Sequence, residues 1–576
     1  MKSSRTPERI ASQPVVDDLI GIAEDFVVPN DPAGLMRELL FTGALTLRNP
    51  AGILAANSRL LWGTAAALRA AADRAFGGDR PGPVAIAHGD KRFSDPAYQE
   101  NPAYFLLAQQ YLLFGQLVDE LFDVAGVSGS RAAKARFVAG FMVDALAPTN
   151  TLPGNPAALR KAFDTGGKSI IRGLKNMTDD LRHNGGWPSQ VDKSGFEVGV
   201  NMGATPGAVV YRSNLIELIQ YSPQTTETHS VPLLFCPPWI NKYYIMDLAP
   251  GKSLIEWAVQ HGHTCFAISY RNPDKAMSNY GFRDYLFEGP LDALRVVREI
   301  TGAESVNTLS VCLGGTLTAL ALAYNAAKGD GSINSATFLN THTDFTQPGL
   351  LGVFTDESTV AQLEKQMQEK GFLESSTMAR TFSALRPKDL IFQYVGNNWL
   401  CGNKPPSFDL LAWNEDSTRM PAQMHSEYLR SCYLRNEFAR GEFEVEGSKL
   451  DPGLVDVDTF VLAAVDDHIV PWTSGYKTTQ LLGGKSRFVL SSSGHIAGIV
   501  NPPNPKAKHW VNDSLPADPQ EWRANAQQVN ATWWQDWATW IGERGGPMVA
   551  APDHLGSEDY PVIEPAPGSY VRATPA

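Results

Sequence analysis

Apolar side chains recur along the first third of the chain at helical spacing. From Tyr104 they fall at Tyr104, Leu107, Tyr111, Phe114, Val118 and Leu121, in steps of 3, 4, 3, 4 and 3, the stripe of an amphipathic helix. Leu35–Thr46, Leu60–Phe76 and Ala132–Leu146 carry similar stripes, separated by the turn-rich Arg48-Asn-Pro50, Gly77-Gly78-Asp79 and Gly82-Pro83. Stripes of this kind ordinarily pack on one another, so an all-helical N-terminal domain is predicted over residues 1–185.

The pattern changes near Asn184-Gly-Gly-Trp-Pro188. Short apolar runs begin to alternate with helical stretches. Val231–Cys236, Cys265–Tyr270, Thr308–Val311 and Ala336–Asn340 read as strands. Segments opening at Ser253, which has the S-x-x-E form of a capping box, and covering Tyr285–Ile300 and Thr316–Ala327 read as helices. Such alternation predicts a parallel α/β sheet with helices on both faces. It breaks over about 345–455 and resumes with Thr459–Val465 and Arg487–Leu490. An insertion of that size is too long for an ordinary loop. It is expected to form a cap over the carboxyl edge of the sheet, where α/β proteins bind ligands. The predicted catalytic domain, 186–576, includes it.

The segment Thr308-Leu-Ser-Val-Cys312-Leu-Gly-Gly-Thr316 follows a predicted strand and opens a predicted helix. That is the setting of the nucleophile elbow, G-x-S-x-G, of the α/β-hydrolase fold. The residues two before and two after the nucleophile must be small, and Ser310 and Gly314 are; the central residue is Cys312. Downstream, Val461-Leu-Ala-Ala-Val-Asp-Asp467-His468 is an apolar strand ending in acids, and Phe488-Val-Leu-Ser-Ser-Ser-Gly-His495 is another ending in Gly-His. Nucleophile, acid and base thus occur in the order this fold requires, each just past a strand. Asp466 competes with Asp467 as the acid, and His468 with His495 as the base; His495 is favoured because it stands alone on a Gly-flanked loop. The fold would take its oxyanion donors from the backbone N–H of Leu313 and from the loop after the third strand, near Ile240.

Composition narrows the field. Among 576 residues there are 49 Lys and Arg against 61 Asp and Glu, and no long basic run, a poor match for nucleic acid. Five cysteines (Cys236, Cys265, Cys312, Cys401, Cys432) include no C-x-x-C pair, which argues against a disulfide framework or a zinc site; all but Cys312 are read as structural. His261-Gly-His263 lies at a helix–strand junction without nearby carboxylates or thiols, so no metal is expected there. The amino terminus lacks an apolar secretion segment, being interrupted by Asp17 and Asp18, and no apolar stretch approaches the ~18 residues of a membrane span. A cytoplasmic setting is the default expectation.

SVCLGGT, FCPPWINKYYIMDLAPGKSLIEW, LLAWNEDSTRMP, DDHIVPW and SSSGHIAGIVNPP, with FSDPAYQENPAYF near Phe93 and EPAPGSYV near Glu564, resemble the corresponding segments of polyhydroxyalkanoate synthases, which polymerise (R)-3-hydroxyacyl-CoA thioesters into storage polyester. The resemblance runs over roughly 85–576 and implies Cys312 as nucleophile, Asp467 as acid and His495 as base. NPPNPKAKHW and the chain length are more similar to the single-subunit short-chain class. Ser310 stands where the family box usually has Gly. The resemblance further implies a homodimer, association of the helical domain with cytoplasmic polyester granules, and no cofactor, CoA being part of the substrate and then a product. Asp247 and Trp413 fall in family-like segments and are candidate substrate-binding residues. Arg386 and Lys388, in the cap, are candidate cations for CoA phosphates.

Overall fold

Three helices of the amino-terminal region begin with the same dipeptide, Asn-Pro. In the computed structural model, which describes residues 32–87, 90–126 and 129–573, the asparagine side chain accepts backbone N–H groups of the first turn and proline occupies the first helical position. Asn49 does this for α2 (Pro50–Ala75; α1 is Pro32–Thr46), Asn101 for α3 (Pro102–Ala125) and Asn155 for α5 (Pro156–Asp164; α4 is Ser130–Ala145). Asparagine supplies the missing acceptor, and proline loses nothing where its N–H would have been unpaired. Helix α2 buries only small side chains, Ala56, Ala67, Ala70 and Ala71. This lets α3 lie close, with Phe105, Ala108, Tyr111 and Leu113 buried. Arg92 is held in this layer by Asp90 at 2.7 Å and Asp144 at 2.8 Å.

These helices, with α6 (Lys168–His183), form one compact unit reaching to Asp192. Residues Arg380–Pro406 cluster with it. The expected division lay near 185, with all of 345–455 in the catalytic domain. The chain instead returns to the helical unit for Arg380–Pro406, where Gly402 and the Trp399 carbonyl pack directly on α6. Among the described residues, no single helix is long and apolar enough to cross a membrane; one bent pair, Leu39–Thr46 with Pro50–Ala75, passes that test only jointly. The reading of the extreme amino terminus as lacking a secretion segment lies outside the described residues.

The second unit is an α/β sandwich around one large sheet. Its strands are β1 (Gly207–Arg212), β2 (Ile216–Tyr221), β3 (Leu233–Cys236), β4 (Cys265–Tyr270), β5 (Val306–Val311), β6 (Ile333–Leu339), β7 (Asp458–Ala464), β8 (Ser486–Ser491), β9 (His509–Val511), β10 (Gln527–Val529) and β11 (Glu564–Pro565). Their order in space is β10-β9-β8-β7-β6-β5-β3-β4-β2-β1-β11. Pairing is parallel from β8 across to β4 and antiparallel at both flanks. Strands β3, β4 and β5 are buried along their whole length, as expected of parallel strands covered on both faces. From β3 the chain first adds β4 on one side and then β5 on the other, so a switch point opens between the carboxyl ends of β3 and β5, where α/β sheets bind ligands. The first part of the chain expected as cap leaves the sheet after β6 and the last part re-enters it at β7.

Candidate active site

Cys312 joins β5 to α9 (Leu313–Lys328; α7 is Leu254–Gln260 and α8 Asp292–Thr301). Its φ and ψ are 51° and −120°, a conformation that costs a non-glycine residue on the order of 1–3 kcal/mol and persists only where the surroundings enforce it. Here its N–H donates to the Leu339 carbonyl at 2.9 Å, and its own carbonyl accepts from Gly315 and Thr316 at 2.9 and 3.2 Å. The elbow needs Gly at 314 for space: a Cβ there would lie 2.3 Å from the Cys236 carbonyl oxygen and 2.5 Å from that of Pro237. Ser310 fits because its hydroxyl turns sideways in β5 and donates to the Thr337 carbonyl at 2.8 Å.

His495 lies on the loop after β8. Its Nδ1 is 2.6 Å from Oδ2 of Asp467, on the loop after β7. The other oxygen of that carboxylate accepts the backbone N–H groups of Ile469 and Val470 at 2.8 and 2.9 Å. Asp467 is buried and Asp466 is exposed, so the acid facing His495 is Asp467. Burial alone would lower the His495 pKa; the Asp467 carboxylate and Cys312, each also hydrogen-bonded to the ring, outweigh it and push the value up to about 10. With Nδ1–H committed to Asp467, the Nε2 side of the ring is left to face the sulfur. The histidine loop is itself pinned: α11 (Trp533–Gly542; α10 is Glu357–Lys370) directs the indole N–H groups of Trp533 and Trp534 to the carbonyls of Gly498 and Ile499 at 2.8 and 2.9 Å.

Beside the sulfur lies a wide helical turn of the insertion, Tyr428–Leu434. Burial, with further contributions that include Cys312, holds the phenols of Tyr428 and Tyr433 above their ordinary pKa, and their hydroxyls are 3.3 Å apart. Trp239, from the loop after β3, meets the Tyr428 ring edge-on at 6.2 Å. Aromatic rings thus lie beside Cys312 on the insertion side, with the two tyrosine hydroxyls among them.

The remaining expected residues are distributed as follows. Leu313 is the first residue of α9, where a backbone N–H has no intrahelical acceptor. Ile240 lies on the loop after β3, whose Pro237 abuts the start of α9; its carbonyl accepts from Thr418 of the insertion at 3.5 Å. Asp247 is buried and receives the hydroxyl and N–H of Thr205, and its pKa rises to about 6 because burial outweighs those bonds. Trp413 is buried with its indole N–H on the Lys242 carbonyl at 2.8 Å. Both residues make internal structural contacts. Arg386 and Lys388 belong to the helical unit, and Arg386 is paired with Asp389 at 2.5 Å. Cys236, Cys265 and Cys432 are buried, and burial pushes their thiols up; Cys401 is partly buried and shifted the same way. Among the described residues, no group of three or more His, Cys, Asp or Glu side chains could hold a metal ion.

Sequence reading passed over His342, Asn340, Tyr428 and Tyr433. The first two had a legible signal: Asn340-Thr-His342 directly follows β6 at the carboxyl edge of the sheet. The tyrosines had none, because the insertion's path over the elbow is a tertiary fact.

A family profile described as the poly-beta-hydroxybutyrate polymerase (PhaC) N-terminus matches residues 89–258, and one described as the alpha/beta hydrolase fold matches 231–502. The first extends past the helical unit into β4's neighbourhood, ending within α7. The chain is 43% identical over 492 residues to the poly(3-hydroxyalkanoate) polymerase subunit PhaC of Cupriavidus necator, covering 84% of this chain and 83% of that protein. It is 43% identical over 488 residues to a poly(3-hydroxyalkanoate) polymerase of Methylorubrum extorquens, covering 84% and 80%. It is 42% identical over 485 residues to poly(3-hydroxyalkanoate) polymerase 1 of Ectopseudomonas oleovorans, covering 84% and 86%. An α/β-hydrolase unit preceded by helices of the polymerase type, at this identity and coverage, makes the chain a member of the poly(3-hydroxyalkanoate) polymerase family.

Proposed function

We propose that this protein polymerises (R)-3-hydroxyacyl-CoA, of short chain such as 3-hydroxybutyryl-CoA, through a thioester on Cys312. The observation that carries the reading is the alignment of a strained Cys312 with a histidine whose other nitrogen is bonded to a buried carboxylate. His495 takes the thiol proton, and the thiolate attacks the substrate carbonyl. The Leu313 N–H and an N–H near Ile240 receive the developing oxyanion. As the carbon–sulfur bond to CoA breaks, the imidazolium returns its proton to the leaving thiolate. Asp467 holds the ring and balances its positive charge.

The choice of sulfur follows from energetics. Exchanging one thioester for another is nearly isoenergetic, so the acyl group stays activated on the enzyme. A 3-hydroxyl then attacks it, giving up its proton to His495. The new oxoester bond forms, the Cys312–acyl bond breaks, and the sulfur departs to be reprotonated. The aromatic rings of Trp239, Tyr428 and Tyr433 exclude water, which would otherwise hydrolyse the acyl-enzyme.

No cofactor takes part in this scheme; CoA enters as substrate and leaves as product. Dimerisation and attachment to cytoplasmic polyester granules, through the helical unit, belong to the same proposal. The test is an assay with (R)-3-hydroxybutyryl-CoA. CoA release together with insoluble polymer is expected, and CoA release with only free hydroxy acid would refute the proposal.

A further inference from the structure

Three consecutive residues after β6 each grip the backbone at a different member of the site. The Asn340 side-chain NH2 donates to the carbonyl of His495. The Thr341 hydroxyl lies 3.2 Å from the carbonyl oxygens of both Cys312 and Leu339 and shares its proton between them. The His342 Nε2 lies 3.3 Å from the carbonyl of Ile469. That carbonyl belongs to the peptide whose N–H, on Val470, donates to Asp467 at 2.9 Å. A hydrogen bond to the oxygen of a peptide polarises it and strengthens its N–H as a donor, so His342 reaches Asp467 through one peptide unit.

The tripeptide is built for this role. Asn340 adopts φ 46°, the left-handed conformation that asparagine tolerates better than most residues, and this turns the chain sharply off β6. A Cβ at 315 would lie 2.1 Å from the Thr341 hydroxyl oxygen, so Gly315 leaves room for the contact with Cys312. His342 is buried beside the Phe345 ring at 4.9 Å, with its Nδ1 3.0 Å from the Ser474 hydroxyl. Asp467 and His495 act on it electrostatically, while Asp344 next to it turns its carboxylate to Asn436 and Lys477. Burial keeps the imidazole neutral at physiological pH. A neutral ring has one N–H, and only the tautomer with that proton on Nε2 avoids setting a lone pair against the Ile469 carbonyl. On the Nδ1 side the Ser474 hydroxyl lies at 3.0 Å and also reaches the Asp344 carbonyl at 3.0 Å, so its single proton serves both acceptors.

We infer that Asn340-Thr341-His342 is a positioning clamp for the nucleophile, base and acid, and that His342 is a positioning residue that sets the strength of Asp467's hold on His495. The inference rests on the Cys312–His495–Asp467 reading above.

The experiment compares His342→Leu, His342→Gln and Thr341→Val in the full chain. It measures steady-state turnover of (R)-3-hydroxybutyryl-CoA, thermal unfolding, and the titration of His495 by histidine-selective NMR. One neutral hydrogen bond is worth about 2- to 12-fold in rate. A loss of that size is expected in kcat for His342→Leu, with KM unchanged and the His495 midpoint moved up, because a less polarised Val470 N–H leaves more negative charge on Asp467. Glutamine, whose amide NH2 can donate to the Ile469 carbonyl, should restore most of both. Parental turnover in His342→Leu, or slowed turnover with an unmoved His495 midpoint, would overturn the clamp. If the leucine variant does not fold, Thr341→Val decides: slower turnover at an unchanged unfolding temperature supports the clamp, and parental turnover overturns it. Cys312→Ala separates the two proposals. If it still releases CoA, the nucleophile assignment fails; if it is inactive while the clamp variants behave as the parent, only the clamp fails.

Discussion

His495 gives its Nδ1 side to Asp467 at 2.6 Å and has its pKa raised to about 10 by that carboxylate and by Cys312, against the opposing effect of burial. Asp467 in turn has its second oxygen filled by two backbone N–H groups. Replacing Asp467 by Asn leaves the volume but supplies an NH2 where the ring N–H points, so the wrong tautomer is favoured. A loss of about 10⁴ in the rate of CoA release is expected, the scale seen for such a change in a Ser-His-Asp triad. Circular dichroism should show the fold retained.

The same pair makes stability depend on pH. A histidine whose folded pKa lies above its unfolded value, about 6.5, contributes stability that is complete below that value and declines as pH rises through the folded one. Between pH about 6.5 and about 10, the unfolding temperature of the parent should fall relative to that of His495→Gln. A pH-independent difference would contradict the pairing.

Ser310 provides a test of the elbow itself. Its hydroxyl is satisfied by Thr337 within the sheet at 2.8 Å and has no part in the chemistry. Ser310→Gly should leave kcat close to parental and cost about 1–2.5 kcal/mol of stability, from a lost hydrogen bond and a freer backbone. Chemical denaturation and a CoA-release assay measure the two effects separately.

Gly314→Ala should behave in the opposite way. Its Cβ would collide with the backbone carbonyls of Cys236 and Pro237, which cannot swing aside as a flexible side chain could. Overpacking of this kind costs about 1–3 kcal/mol, and the strain falls on the loop carrying Ile240 and on the turn carrying Cys312. Loss of Cys312 acylation larger than the loss of stability is expected, read by mass spectrometry and thermal unfolding.

The strands and the elbow were legible because parallel strands are continuous apolar runs and the chemistry sits just past their ends. β4 matches its sequence reading residue for residue, and Cys312, Asp467 and His495 each follow a strand. Asn-Pro at 49–50 was read as part of a linker and is instead a helix start, because proline's effect depends on which side of it the helix lies. The choice between Asp466 and Asp467 needed coordinates, since neighbouring residues in a turn point in different directions. The return of Arg380–Pro406 to the helical unit, which takes Arg386 and Lys388 with it, was invisible because local periodicity carries no information on which core a helix joins. The grip of Asn340-Thr341-His342 was hidden for the same reason: its partners lie far along the chain.

The most direct measurement is the location of the acyl group after the protein reacts with a non-elongating (R)-3-hydroxyacyl-CoA analogue. Peptide mass spectrometry should find one acyl group per chain, on the peptide containing Cys312, and none in Cys312→Ala. An acyl group on another residue, or undiminished CoA release by Cys312→Ala, would contradict the thioester assignment.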